Sequence, residues 1–448
     1  MIKTNIINLI KGAKMANNSL QKNVTSTEAL AIVVGMIIGS GIFLKPGIVL
    51  MSAGSQLMAI AAWVAGGIIT LASALAISEI AAAIPKAGGL YVYLKELYGD
   101  IYGFLLGWVQ TIISYPASAA ALAIAFATYS NVFIPMDDMQ QKLMAIAILI
   151  FITLMNVLST KFGGIIQTVA TAGKLVPIVA IIIFGFLRNT TPNFGSVNTL
   201  AGGTGFGAAI LGTLWAYEGW ISVTNMAGEL KNPAKDLPKV ISLGVMFVII
   251  VYAIFNIAVF KVLPTDQIIS SKTPAADAAV ALFGNSGGLF ISAGIMISVF
   301  GALNGFIMTG ARVPYAMGER KMLPYSKALS TIHPKFSTPA NSLIFESLLA
   351  IIYILSGSFN TLTDLLVFVL WIFFTMGVYG VFILRKKFPQ EKGLYKVPLY
   401  PITPIVGIVG GAYILISTVI DNPANSFIGI VITLLGLPVY YYNIKNAK

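Results

Sequence analysis

Two short stretches of this sequence place small and polar residues in the middle of long apolar runs. Gly39-Ser40-Gly41 lies near the middle of the first run. Small flexible residues weaken a helix, so this triplet predicts a break near mid-membrane. A half-helix starting at Ile42 would point its positive dipole end inward, which suits a carboxylate. The alternative is close helix packing through small residues.

The second stretch is WAYEGW at 215–220, at a similar depth in the sixth apolar run. Its acidic residue, Glu218, is expensive in lipid and must face the protein interior or a wet cavity. A break there would leave carbonyl groups at the C-terminal end of a half-helix, available to an ammonium group. The alternative is a packed aromatic belt with Glu218 satisfied locally. A site for a carboxylate beside a site for an ammonium group is suited to binding an amino acid.

A lysine lies deep in the fifth apolar run. Lys174 stands about twelve residues from the start of that run, where an unpaired ammonium costs several kcal/mol. A snorkelling lysine near an interface is the simpler interpretation, but this depth makes snorkelling difficult. We therefore expect Lys174 to have partners inside the protein.

Two other polar residues stand within or near apolar runs. Glu79, near the inner end of the second run, suits either a salt bridge to a loop lysine or a coupling role. Asn304, in GALNGF, suits either packing against the first span or contact with a substrate. Both alternatives stay open for each residue.

Composition identifies the class of protein that must position these groups. Hydrophobic residues make up 57% of the 448 positions and charged residues 10%, whereas soluble domains carry roughly a quarter charged residues. We predict one all-α transmembrane domain over 1–448, with 1–24 as a cytoplasmic segment that is not a signal peptide. Cysteine is absent and His333 is the single histidine, so a thiolate site, a histidine metal site and a serine-histidine triad lack their parts.

A helix needs about 20 apolar residues to cross the hydrocarbon core, and this length predicts about twelve spans. A kink at Pro116 is expected in the long third one. The spans are 28–50, 56–83, 100–133, 142–159, 162–187, 205–228, 239–262, 286–310, 340–357, 362–384, 400–419 and 425–443.

The net charge of +12 is explained by topology, because cytoplasmic loops retain lysine and arginine. With the N-terminus inside, 22 of the 28 basic residues lie inside, four lie outside, and Lys45 and Lys174 fall within spans. Both termini are therefore expected in the cytoplasm, in a multi-pass protein of the lipid bilayer. The basic residues form no stripe with aromatics, which argues against nucleic-acid binding.

The two predicted breaks are five spans apart, as in an inverted repeat of five helices plus five. The first repeat would cover 25–187 and the second 205–384, with two extra helices in 400–443. Hydropathy and break position alone carry this prediction.

Seven motifs in this order resemble the amino acid, polyamine and organocation transporters, and within them the L-amino-acid transporter type. The similarity covers nearly the whole chain and is greatest to bacterial exchangers of small neutral amino acids. The motifs are GMIIGSGIFLKPG at 35–47, SEIAAAIPKAGGLYVYLKELYG at 78–99, GKLVP at 173–177, WAYEGW at 215–220, GELKNPAKDLP at 228–238, RVPYAMGERKMLP at 312–324 and YKVPLYP at 395–401.

The resemblance implies a fold with helices one and six unwound at the midplane, and alternating access around that site. It implies that the backbone amides of Ser40 and Gly41 hold the substrate carboxylate, with Gly39 beside them in the same triplet. It assigns the ammonium to four carbonyls and a gating role to the Trp215 side chain. The carbonyl groups are those of Ile37, Trp215, Ala216 and Glu218.

The resemblance also implies roles for residues around the breaks. Lys174 would replace the sodium ion that sodium-driven relatives hold between helices one, five and eight, with Tyr252 approaching it. Phe306 stands where a selectivity contact is expected. Relatives often carry glycine or aspartate at the position of Glu218, so the larger glutamate bears on substrate size and charge.

These observations predict a sodium-independent exchanger of small neutral L-amino acids such as alanine, serine and threonine, in a cell membrane and without a cofactor. Proton-coupled uptake, with Lys174 or Glu218 titrating, is the alternative within transport. A binding-only sensor would need an output domain, and an enzyme would need clustered catalytic groups. Animal relatives pair with a glycoprotein through a cysteine, so no disulfide-linked subunit is expected here.

Overall fold

The computed structural model of the chain describes residues 25–84, 89–158, 173–188, 205–224, 230, 232–387 and 394–447. The predicted cytoplasmic segment 1–24 and the first part of the fifth span, 162–172, lie outside the described residues. Four predicted inner-loop cations lie outside them as well: Lys86, Lys161, Lys231 and Lys392.

The described residues are predominantly α-helical. In the first half of the chain the helices are α1 (Ser26–Ile37), α2 (Gly41–Leu44), α3 (Pro46–Ala53), α4 (Gln56–Ala83), α5 (Gly89–Tyr98), α6 (Asp100–Val109), α7 (Tyr115–Ser130), α8 (Asp138–Leu158) and α9 (Leu175–Leu187). In the second half they are α10 (Phe206–Tyr217), α11 (Pro233–Val262), α12 (Thr265–Ser270), α13 (Pro274–Gly310), α14 (Arg312–Glu319), α15 (Ser326–Leu329), α16 (Ala340–Ser356), α17 (Phe359–Lys387), α18 (Ile402–Asp421), α19 (Pro423–Leu434) and α20 (Gly436–Ala447).

Eight helical stretches among the described residues are long and apolar enough to cross a membrane, and α9 and α16 are shorter apolar helices. The eight are Gln56–Ala83, Asp100–Ser130, Asp138–Leu158, Pro233–Val262, Pro274–Glu319, Phe359–Lys387, Ile402–Asp421 and Pro423–Asn443. The chain is thus a helical protein with multiple membrane spans, as predicted. The first and sixth predicted spans are filled by the shorter pieces α1 to α3 and α10.

The helices enclose a continuous apolar core. α4 packs along α11 and α10, whereas α7 packs along α13 and α16. α1 lies against α11, and α2 contacts both α10 and α13, so the interrupted first span lies between these groups. Many large apolar side chains on the outside of the bundle are exposed, as expected for helices surrounded by lipid.

The third span contains a π-helical turn, Gln110–Ser114, immediately before the predicted kink at Pro116. Proline lacks an amide hydrogen, so it cannot bond the carbonyl four residues earlier. That carbonyl, of Ile112, accepts a hydrogen bond from the Tyr353 hydroxyl at 3.0 Å. A side chain of α16 therefore satisfies the group that the proline leaves free.

The eighth predicted span, 286–310, corresponds to the part of α13 that follows Gly284, where φ is 69° and the helix changes direction. This positive φ is open to glycine without steric penalty. The first part of α13, from Pro274, precedes the predicted span. The helix of the sixth span ends at Tyr217, at the break predicted within 215–220.

A buried acid joins three segments at one end of the bundle. Glu79 of α4 accepts two hydrogen bonds from the Arg385 guanidinium, each 2.8 Å, and one from the Val397 amide at 2.6 Å. The guanidinium carbon lies 3.6 Å from the centre of the Tyr400 ring. The salt bridge expected for Glu79 therefore exists, but its partner is an arginine at the end of α17 and not a loop lysine.

We predict that Glu79→Gln destabilises the protein by about 2 kcal/mol, because it leaves part of a charge-assisted network unpaired. The midpoint of thermal unfolding in detergent, followed by tryptophan fluorescence, measures this. Asp100→Asn is the control, since Asp100 pairs with Lys95 at 3.1 Å and both side chains are exposed. An equal shift for the two variants would contradict the prediction.

Candidate functional site

The first span is interrupted at the predicted triplet. α1 ends at Ile37, residues 38–40 form bends, and α2 begins at Gly41, one residue before the predicted start. No backbone turn hydrogen bond spans 38–40 in the described chain. The amides of Ser40 and Gly41 therefore lack a helical acceptor, as a carboxylate-binding end requires.

The sixth span is interrupted directly after Tyr217. Glu218 is extended, with φ −62° and ψ 148°, and its amide donates to the Trp215 carbonyl at 3.1 Å. Gly219 follows with φ 108°, and a Cβ atom there would lie 2.9 Å from the Met36 carbonyl oxygen. Only glycine fits both the positive φ and this close approach.

The two interrupted spans touch each other. A Cβ atom on Gly41 would lie 2.5 Å from the Cα atom of Ala216. The indole Nε1 of Trp215 donates to the Ser40 hydroxyl at 3.4 Å. Residues expected to hold a carboxylate and residues expected to hold an ammonium are therefore in direct contact.

The Tyr252 hydroxyl of α11 links the two breaks. It lies 3.0 Å from the Ile37 carbonyl oxygen and 2.8 Å from that of Ala216, and the side chain is fully buried. Both carbonyls belong to the predicted ammonium-binding set. A hydroxyl has one hydrogen to donate, so it serves one of these acceptors at a time.

Lys174 bonds to the first break from the other side. Its ammonium donates to the carbonyls of Gly35 and Ile38, the latter at 3.1 Å, and the residue is 1% exposed. These carbonyls end at the interruption, where no regular helix continues to supply amide donors. Lys174 and Tyr252 meet at the same break, through different carbonyls and without a hydrogen bond to each other among the described contacts.

Aromatic rings surround Trp215. Its ring stacks against Phe306 with centroids 6.5 Å apart and meets Phe359 edge-on at 6.1 Å. Phe306 also contacts Tyr115 at 6.2 Å. The structure thus places Phe306 beside the predicted gate. Asn304 instead accepts a hydrogen bond from Asn156 of α8 at 2.9 Å, a partner that sequence reasoning missed.

A small cavity lies beneath these rings. Glu218 is partly exposed to it, together with Gln110, Ser114, Tyr115 and Ser222. Three of these residues come from the π turn or directly follow it. Polar side chains in a long apolar run indicate a site inside the protein, so the sequence did contain a signal for these residues.

A larger vestibule of about 600 Å³ lies elsewhere in the bundle. It is bordered by α2 and α3, the end of α7, residues 269–272 and residues 357–360. Phe359, which contacts Trp215, lines it. Trp215 thus contacts one ring that lines the vestibule, Phe359, and one that lines the small cavity, Phe306.

Lys45, a cation in the first span without an expected role, is fully buried beside the vestibule. Its ammonium donates to Thr363 at 2.8 Å and Asn360 at 3.0 Å, and pairs with Asp364 at 3.3 Å. It also lies 5.3 Å from the centre of the Phe359 ring. Lys45 therefore attaches the start of α3 to the first turn of α17.

The described residues contain no cluster of acidic, histidine or cysteine side chains able to hold a metal ion. The site is built from backbone groups, hydroxyls, an ammonium and aromatic rings. Such groups can bind and release a zwitterion without covalent chemistry.

Comparison with known proteins shows the family to which the chain belongs. A model of the amino acid permease family matches residues 26–439. The chain is 43% identical to the serine/threonine exchanger of Bacillus subtilis over 433 residues, which is 96% of this chain and 99% of that protein. It is 33% identical to the b(0,+)-type amino acid transporter 1 of Mus musculus, covering 96% of this chain and 89% of the relative. Identity to the mouse large neutral amino acids transporter small subunit 2 is 31%, with 95% and 82% covered.

We predict that Gly41→Ala destabilises the fold by about 1 to 3 kcal/mol, because the new methyl group overlaps the backbone at Ala216. The thermal unfolding midpoint in detergent measures the effect. Gly39→Ala is a matched control, since the nearest atoms to a Cβ there are 4.0 Å away. If Gly39→Ala were as destabilising as Gly41→Ala, helix flexibility and not contact with Ala216 would be the cause.

Proposed function

Because the chain belongs to the amino acid permease family, we propose that it is a sodium-independent exchanger of small neutral L-amino acids. Alanine, serine and threonine are the expected substrates. It is a membrane protein of amino-acid transport, and the fully covered Bacillus subtilis relative is a serine/threonine exchanger.

The proposal rests on the contact between two broken helices, one of which exposes amide groups and the other carbonyl groups. Free amides at Ser40 and Gly41 form a positive end for the α-carboxylate. The carbonyls of Ile37 and Ala216, gathered by Tyr252, form an acceptor pair for the α-ammonium. Trp215, Glu218 and Gly39 complete the predicted set around this contact. This arrangement recognises the part that all α-amino acids share.

The side-chain end of the substrate would occupy the small cavity. Phe306 and Tyr115 limit its size, which favours short side chains. Glu218, Gln110 and Ser114 offer hydrogen-bond acceptors to a hydroxyl group. Small residues with or without a hydroxyl therefore fit better than large apolar ones.

Lys174 supports sodium independence. Its ammonium already bonds the Gly35 and Ile38 carbonyls, so a fixed positive charge occupies acceptors that a sodium ion would need. A bound cation there would face both competition for oxygens and charge repulsion.

For the architecture, we propose twelve spans in two inverted five-helix repeats, 25–187 and 205–384, followed by two further helices, with both termini in the cytoplasm of a bacterial cell. Substrate would enter from the vestibule past Phe359 and Trp215. It would leave toward the end where Glu79 pairs with Arg385. The bundle with the broken helices would rock to expose each side in turn.

We predict that proteoliposomes preloaded with unlabelled L-serine take up radiolabelled L-serine without sodium, whereas empty vesicles take up almost none. Replacing N-methyl-D-glucamine by sodium should leave the rate unchanged. Accumulation in empty vesicles under an inward proton gradient would establish proton symport instead. A requirement for sodium would refute the role of Lys174, and binding without any uptake would indicate a sensor.

We predict that Tyr252→Phe raises the L-serine concentration for half-maximal exchange about fivefold, because it removes a hydrogen bond worth about 1 kcal/mol that positions the acceptor pair. Tyr98→Phe is the control, since the Tyr98 hydroxyl also donates to a backbone carbonyl, of Met376, at 2.6 Å but away from the breaks. Similar effects of both substitutions would exclude a specific role of Tyr252 in the site.

A further inference from the structure

A carboxyl group lies isolated in the core of the bundle, outside the binding site described above. Glu346 of α16 is 2% exposed, and neither of its oxygens has a hydrogen-bond partner among the described residues. It packs directly on Gly310 at the end of α13, where any Cβ atom would overlap its carboxyl oxygens. The backbone of α13 thus leaves space for this acid and supplies it with no donor.

The position is connected to the small cavity through one side chain. Tyr115 lies within electrostatic range of both Glu346 and Glu218, and it lines the cavity together with Glu218. The neighbouring residue Ser347, by contrast, shares a hydrogen bond of 2.7 Å with Thr153 of α8. Polar residues of α16 are therefore paired where they face α8, while Glu346 is not.

No described cation compensates the charge that Glu346 would carry. Among the described residues no lysine or arginine forms a salt bridge with Glu346. Tyr115 is the titratable group that faces it from the packed elements. The others on these elements, on α7, α8, α13, α14 and α15, are Tyr129, Asp138, Lys142, Asp277, Arg312, Tyr315, Glu319 and Lys327. Lys142 bonds the far end of α16 at Leu355, and Arg312 is exposed.

Building on the proposed exchange, we propose that Glu346 is a proton-binding site, neutral in the structure described here, whose ionisation prevents the protein from closing around substrate. A carboxylate without partners is strongly disfavoured inside a membrane protein, so closure requires the neutral acid. When the cavity opens, water can reach the acid past Tyr115 and accept its proton. The ligand of this site is the proton, and transport would be limited by protonation without any change in the transported amino acid.

The rate of exchange should depend on pH, because only the neutral acid allows closure. The neutral form is competent to close, so exchange proceeds at acidic pH and is lost as the pH rises through the titration of Glu346. Buried glutamates can titrate as high as about pH 8 to 9. We expect exchange of L-serine to fall at least about fivefold between about pH 6 and about pH 9.

The test measures exchange of L-serine in preloaded proteoliposomes with equal pH on both sides, for the full-length protein and for Glu346→Gln. Glutamine has the shape of the neutral acid and cannot ionise, so the variant should keep the acid-pH rate of the wild type and lose the decline. Glu319→Gln, on the exposed part of α14, is the control and should keep the wild-type profile.

Three results would overturn the proposal: a flat wild-type profile, the same decline in Glu346→Gln, or a folded Glu346→Gln protein that is inactive at every pH. The wild-type profile decides the first of these even if the variant fails to fold. Infrared spectra of the wild type in lipid give a readout independent of transport. A carboxylic-acid C=O band that is absent from Glu346→Gln supports the site, and no such difference refutes it.

Discussion

Backbone groups inside a bilayer must find partners within the protein, and two helices of this chain stop where that requirement is strictest. The ends at Ile37 and Tyr217 expose carbonyls and amides that no regular helix satisfies. Tyr252 and Lys174 donate to the carbonyls, while the amides of Ser40 and Gly41 stay free. The close contact of Gly41 with Ala216 holds the two ends together. The site is therefore a product of interrupted helices, completed by side chains from their intact neighbours.

The long helix α17 forms buried ion pairs with other helices at both of its ends. Its first turn holds Lys45 of the first span through Asp364 and Thr363. Its last turn holds Glu79 of α4 through Arg385. Buried ion pairs contribute little net stability but are strongly destabilising when one partner is lost. They fix which surfaces face each other, so α17 constrains the interrupted helix at one end of the bundle and α4 at the other.

Sequence alone predicted the interruptions well because their cause is local. A glycine-serine-glycine triplet inside an apolar run and an acid beside a glycine in another weaken helices irrespective of their surroundings. The hydrogen-bond and ion-pair partners of the polar side chains depend on tertiary contacts, and the sequence did not predict them. Nothing near Lys45 in the sequence indicates Asp364 as its partner. Glu346 is an acid within an apolar run, and this pattern alone indicates a buried polar group. The sequence leaves Asn304 open to packing against the first span or to substrate contact, and it does not indicate the hydrogen bond from Asn156, which only helix packing decides.

The position of the Tyr252 hydroxyl has a consequence for how empty and loaded protein molecules differ. Its single hydrogen is shared between two carbonyl oxygens, so one of them is always without a donor when no ligand is present. An ammonium group carries three hydrogens and can supply both oxygens at once. A closed molecule without cargo therefore retains an unmet hydrogen-bond acceptor in a dry interior, and a closed molecule with cargo does not. In the proposed exchange cycle, this asymmetry would raise the barrier to the return of the empty protein and so couple the outward passage of one amino acid to the inward passage of another.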